Sequence, residues 1–179
     1  MRPNLSYNGI QMIFLRRLLL WIFLVLTTTV SHANGLELDL MPDQAPKLAD
    51  VAVIAVAKLS GQKLDYSPAS LKIIDQLVLG FRKEGNSAQD INKTLIVLGC
   101  YVGEVMVRNL GYKWDNPTQK EISIGFDVTG VRGKNNAISN PIGKVFKLLE
   151  NGQEDSVEFF YSVFSKDLSE LAAAESGKQ

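Results

Sequence analysis

The sequence predicts a single α+β domain, with four to five helices around a central helix at about 87–110 and a small two- or three-stranded antiparallel sheet. Two observations carry this. Residues 87–111 hold apolar side chains at helical spacing over six turns, and beyond Gly111 the period changes from that of a helix to that of a strand. A third is length: removal of a predicted leader at 1–33 leaves 34–179, a chain that suits one core without an interdomain linker.

The leader reads as a secretory signal peptide. Arg16 and Arg17 form a basic region, residues 18–30 are mostly apolar, and Val30-Ser31-His32-Ala33 places small residues for cleavage after Ala33. Thirteen such residues fall short of the roughly 20 a transmembrane helix needs, so no stable membrane insertion is expected once the leader is removed; an uncleaved anchor is the alternative. The polar lead at 1–11 is long for this role, and Met12 is the more ordinary start. The leader carries three of the 19 basic residues and none of the 19 acidic ones. The remaining net charge near −3 makes no electrostatic case for nucleic acid. The only histidine, His32, leaves with the leader, and Cys100 is the only cysteine. Histidine-dependent triads, an internal disulfide and the commonest zinc ligand are therefore excluded from the mature chain. No metal or nucleotide motif occurs, and no cofactor is expected.

Residues 34–44 form an extended lead-in, with Leu36, Leu38 and Leu40 alternating against acids. Residues 45–59 predict a helix with Leu48, Val51, Ala52, Ala55 and Leu59 on one face, Pro46 in its first turn and Ser60-Gly61 as its stop; the Val/Ile content leaves a buried strand as the alternative. Ser67-Pro68 is a cap followed by a first-turn proline, and Leu71, Ile74, Leu77, Val78 and Phe81 make the face of a second helix closed by Gly85. Asp65 and Tyr66, just upstream, read as a solvated acid and a hydrophobic staple. Ser87 with Asp90 opens the central helix through a capping-box arrangement. Its stripe of Ile91, Leu95, Leu98, Val102 and Val105 is widened by Ile96, Val97, Met106 and Leu110, which implies neighbours on more than one side.

Residues 112–114 and 121–128 then read as strands joined by the turn-forming 116–118, and 137–139 as a short third strand, with 129–136 a polar loop. Asn140-Pro141 starts a further helix carrying Ile142, Val145, Phe146 and Leu149, ended by Asn151-Gly152. A last helix from about Asp155 holds Val157, Phe160, Tyr161, Phe164 and Leu168 inside, and 172–179 is a fraying tail.

The stretches L-D-Y-S-P-A-S-L at 64–71, L-G-C-Y-V-G-E-V at 98–105, G-Y-K-W at 111–114, N-P-I-G-K-V at 140–145 and N-G-Q-E-D-S-V at 151–157 resemble a family of uncharacterised bacterial domains. The resemblance covers roughly 64–164. It implies a compact helical domain with a small sheet and carries no established activity.

Four residues are singled out for binding: Tyr101, Glu104, Trp114 and Lys144. No catalytic residue is assigned; Glu104, Tyr101 and Lys144 are the only candidates for acid–base work. Glu104 lies four residues before Arg108, so a helical ion pair is the plain reading, and a buried carboxylate would need Tyr101, Trp114 or Lys144 as partners. Gly99 and Gly103 share one helical face, each costing about 1 kcal/mol relative to alanine, which close approach of a neighbour offsets; a ligand on exposed backbone is the alternative. Cys100 is read as a buried hydrophobe rather than a redox thiol. Asp115-Asn116 with Asp127 is a weak calcium candidate, and the basic loop 132–136 is either a solvated turn or the contact for an acidic partner. The leading expectation is an exported protein, periplasmic or secreted, that binds another protein without catalysis, an immunity or inhibitor protein being one version. A small envelope hydrolase using Glu104 with Tyr101 or Lys144 is the second, and a structural homo-oligomer the third.

Overall fold

The computed structural model describes residues 40–126 and 128–176. The signal peptide, Met12, His32, all of the lead-in before Leu40, Asp127, the side chain of Leu168 and residues 177–179 lie outside the described residues. Helix α1 spans Ala45–Ser60, α2 Leu71–Lys83 after a 3-10 turn at Pro68–Ser70, and α3 Asn92–Leu110. Strand β1 is Lys113–Asp115, α4 Gln119–Ser123, β2 Gly130–Arg132 and β3 Ile138–Ser139. Helix α5 runs Pro141–Asn151, a 3-10 turn covers Gln153–Asp155, and α6 is Val157–Ser176. The fold is α+β, as the sequence predicts, with α3 as its axis: every residue of 97–106 is buried. No helix among the described residues is long and apolar enough to cross a membrane.

Small residues decide how closely the neighbours of α3 approach. Helix α1, its chief partner, turns an alanine stripe inward: Ala45, Ala49, Ala52 and Ala55 are buried with Val56. This face is rotated from the expected one: Ala52 and Ala55 are shared, Ala45, Ala49 and Val56 join them, and Leu48, Val51 and Leu59 sit only half-buried at the margin. Alanine in the seam lets the two backbones close up, and larger side chains then pack along the flanks. On another side α5 crosses at Gly99, where a Cβ would fall 2.5 Å from the Ile142 Cα. Gly103 faces the Trp114 ring, which a Cβ would meet at 2.3 Å. The glycine spacing is therefore a packing device.

Caps fix the remaining helices. Ser87 and Asp90 bond reciprocally, but around a separate turn at 88–91; the helix expected to open at Ser87 starts at Asn92, with no side-chain cap of its own. Asn140 Oδ1 accepts from the Gly143 amide at 2.6 Å and starts α5. Ser67 departs from expectation. Its hydroxyl donates to Asp65 Oδ1 at 2.6 Å, so Asp65 organises the turn and a 3-10 segment precedes α2. Two polar staples join α2 to the C-terminal part. Buried Asp75 accepts from Ser156 Oγ at 2.6 Å and from the Val157 amide at 2.8 Å, capping α6 from a different helix. Arg82 donates to the Leu149 and Glu150 carbonyls at the end of α5, where a cation suits the helix dipole.

The sheet has order β1-β2-β3, antiparallel throughout, with Trp114 opposite Val131 and Val131 opposite Ser139. The strand expected at 121–128 is corrected: Gln119–Ser123 is helical and the central strand is Gly130–Arg132, inside the segment read as a loop. The cause is local. Thr118 Oγ1 accepts from the Glu121 amide while Glu121 accepts from the Thr118 amide at 2.7 Å, a complete capping box that outweighs the alternation of Ile122, Ile124 and Phe126. Nothing in α4 is buried.

Candidate functional site

The polar cluster of the domain is built on the C-terminal half of α3. Glu104, 4% exposed, has both carboxylate oxygens occupied: Oε2 accepts from Arg108 Nε at 2.9 Å and Oε1 from Trp114 Nε1 at 2.8 Å. Helical spacing brings Arg108 beneath Glu104, and the turn at Gly111, whose φ of +70° caps α3, returns β1 so that Trp114 lies over Gly103. The buried charge thus has two donors rather than one.

Arg108 continues the cluster. Its guanidinium lies 3.4 Å above the centre of the Tyr66 ring, and Tyr66 stacks on Tyr101 at 5.0 Å. Tyr66 adopts φ +61°, a left-handed conformation that a bulky side chain rarely takes. Every polar group of Tyr66 is engaged, which holds the conformation in place. Its amide donates to Tyr101 Oη at 2.9 Å, its carbonyl accepts from Asn109 at 2.8 Å, and its hydroxyl donates to Asp50 at 2.6 Å. Ser70 gives its proton to the Ser67 carbonyl, so across their 2.6 Å contact Tyr101 is the donor to Ser70. Burial pushes the phenol of Tyr101 above its ordinary value, partly countered by the Tyr66 amide that donates to it. The Tyr66 phenol rises for the same first reason, reinforced by Asp50.

Of the four residues singled out for binding, Glu104 and Trp114 meet directly, and Tyr101 joins them through Tyr66 and Arg108. Lys144 does not join: its Nζ donates to Asp155 Oδ1 at 2.6 Å. Pro141 and Ile142 of α5 meet α3 at Gly103 and Gly99, and a residue two positions beyond Ile142 projects roughly 200° around the helix. Asp155 is held below its usual carboxylate range by that lysine and by Asn151. Cys100 is fully buried, and burial, then the charge of Glu104, pushes its thiol well above its normal value. Asp115 is occupied by Arg132.

Arg132 belongs to a second cluster. All five of its N–H donors are used: Nε to Asp115 at 2.6 Å, Nη1 to Glu121 at 2.8 Å and to the Asn136 carbonyl, Nη2 to Glu121 at 3.1 Å and to the Asn116 carbonyl. It is not the solvated end of a basic loop. It clamps the 116–128 excursion to the sheet. Arg132 and Thr118 hold the Glu121 carboxyl down at about 2. On the held excursion no described residue is buried, and Ile122, Ile124 and Val128 are exposed, Ile124 to 77%. The sequence offered T-x-x-E as the sign of α4; nothing in it marked Tyr66 as strained or Arg132 as a clamp.

Beside the clamp lies an open groove of about 470 Å³, lined by Lys113, Trp114, Asp115, Arg132 and Lys134 with Gly111 and Gly133. Comparison with protein-family models, with curated proteins and with solved structures gives no match.

Proposed function

We propose that this chain is an exported, non-enzymatic domain of the cell envelope that binds another protein, in the manner of an immunity or inhibitor protein. One observation carries the reading. The 116–128 excursion buries none of its described residues, yet a saturated arginine and a capping box hold it in one conformation with Ile122, Ile124 and Val128 facing solvent. Holding apolar side chains in water is unfavourable by roughly 25 cal/mol per Å² of apolar surface, and several large apolar side chains exposed on one short, pinned loop suit an interface. The acid–base candidates support it from the other direction, since the oxygens of Glu104 and the amine of Lys144 already carry protein partners. Export rests on the basic, apolar and small-residue order of 16–33.

A photo-crosslinking residue at Ile124, with Lys72 on the exposed side of α2 as the control, tests the binding in cells expressing the full chain. A discrete adduct at 124, absent at 72 and lost on Ile122→Asp, is the expected result; no adduct, or the same adducts at both positions, refutes it. The mass of the mature chain tests export: it should begin at Asn34.

A further inference from the structure

The groove beside the clamp holds positive charge that the fold does not neutralise. In the sheet register Lys113 stands opposite Arg132, so two cations face each other across β1 and β2, an unfavourable pairing. The acids nearby serve Arg132: Asp115 Oδ2 accepts from its Nε at 2.6 Å, and Glu121 accepts from two further arginine N–H groups. Arg132 is thereby saturated and Lys113 receives none of this compensation. Lys134, on the opposite lip, stretches over Gly111, with its Cε at the edge of contact. Neither lysine has a carboxylate partner among the described residues. Between them runs the β1 backbone at Trp114, whose indole turns to the other face of the sheet, onto Glu104 and Gly103. The cleft therefore combines two ammonium groups without carboxylate partners and a floor opened by Gly111 and Gly133.

We propose that this groove receives a carboxylate-bearing segment of the partner protein, its acids meeting Lys113 and Lys134. The inference rests on the reading of the chain as a protein-binding domain and deepens it. Arg132 contacts both the groove and α4, so the cationic cleft and the ridge of Ile122 and Ile124 form adjoining halves of one surface. Charge complementarity selects the occupant: in a chain whose mature part is net negative, Lys113, Lys134 and Arg132 outnumber Asp115 and Glu121 here, and this local positive surplus steers an acidic segment to the groove.

The test uses the full chain carrying Trp21→Phe, which leaves Trp114 as the only indole and hence the reporter. Acetylated hexaglutamate is titrated in, with a glutamine–serine hexapeptide and inorganic phosphate as separate arms. The expected result is a saturable change in Trp114 emission with hexaglutamate alone, weakened by added salt. Each lysine contributes about two- to fivefold in affinity, so Lys113→Gln with Lys134→Gln should weaken binding about fivefold or more at an unchanged melting temperature. No saturable response to hexaglutamate, equal binding by the double variant, or a response to phosphate without one to the peptide overturns the proposal. An adduct at Ile124 that persists undiminished in the double variant removes the groove and leaves the protein-binding reading intact. Lysine-dependent peptide binding with no adduct at Ile124 supports the groove and removes that reading.

Discussion

Replacing Glu104 by glutamine keeps the shape of the side chain and changes the number of acceptors from two oxygens to one. Arg108 Nε and Trp114 Nε1 both point donors at the carboxylate, at 2.9 and 2.8 Å. The glutamine oxygen can serve only one of them, and its NH2 group then faces the other donor. A bond to a buried charged group is worth about 1.5–3 kcal/mol, and a donor left unsatisfied costs a similar amount. Arg108 is 45% exposed, and water takes up part of its loss, which places the net effect near 2 kcal/mol. For a domain of this size that lowers Tm by about 8 °C. Far-UV circular dichroism in urea gives the free energy directly. Pairing Glu104→Gln with Trp114→Phe removes the donor that the amide opposes, so the double variant should lose about 1 kcal/mol less than the two single losses together. A Glu104→Gln protein within about 0.3 kcal/mol of the parent would refute the structural role assigned to this carboxylate.

Gly99→Ala gains about 1 kcal/mol of helix propensity, but its Cβ would meet the Ile142 backbone at 2.5 Å, and displacing α5 outweighs that gain; thermal melts should show a net loss of about 1–2 kcal/mol. Asp75→Ala leaves the Ser156 hydroxyl and the Val157 amide without their buried acceptor and should cost about 3 kcal/mol, whereas Asp75→Asn keeps an acceptor for Val157 and a donor for Ser156 and should cost about 1 kcal/mol, read as urea midpoints. Glu121 is held down at about 2 in the folded protein against an ordinary value of 4.5, so its bond with Arg132 stabilises the clamp fully above pH 4.5 and is lost as pH falls towards 2. Amide shifts of Ile122 and Ile124 should move through that window in the parent and stay flat in Glu121→Gln; the reverse would show that α4 is held by something else.

Much of the fold is legible because its signals are local. The buried faces of α2 and α5, the Gly61, Gly85 and Gly152 stops, the Asn140-Pro141 start and the central position of α3 all follow from spacing and capping chemistry within a few residues. The error at 121–128 is instructive because both signals were local too. Alternating isoleucines suggested a strand, while Thr118 and Glu121 specified a helix start, and the strand lost because no partner surface covers Ile122 and Ile124. Alternation predicts a strand only where one face has something to pack on.

Glu104 shows the same division at the candidate site. Its i,i+4 relation to Arg108 was readable; the Trp114 indole that completes it comes from a strand whose placement depends on the turn at Gly111 and on the missing side chain of Gly103. Lys144 was an equal candidate by type and lies on Asp155 because the register of α5 is set by Ile142 on Gly99.

The sequence by itself determined the fold class, the glycine stops of several helices and the inward role of the central glycines, since these depend on backbone preferences and periodicity that act over single turns. The tertiary structure alone decided which polar groups meet: Tyr66 strained between Tyr101, Arg108 and Asp50, Arg132 saturated by two acids, and Lys113 and Lys134 left facing an open groove. Such pairings join residues far apart in the chain, and their energies depend on distances of a few ångströms that only the packed core sets.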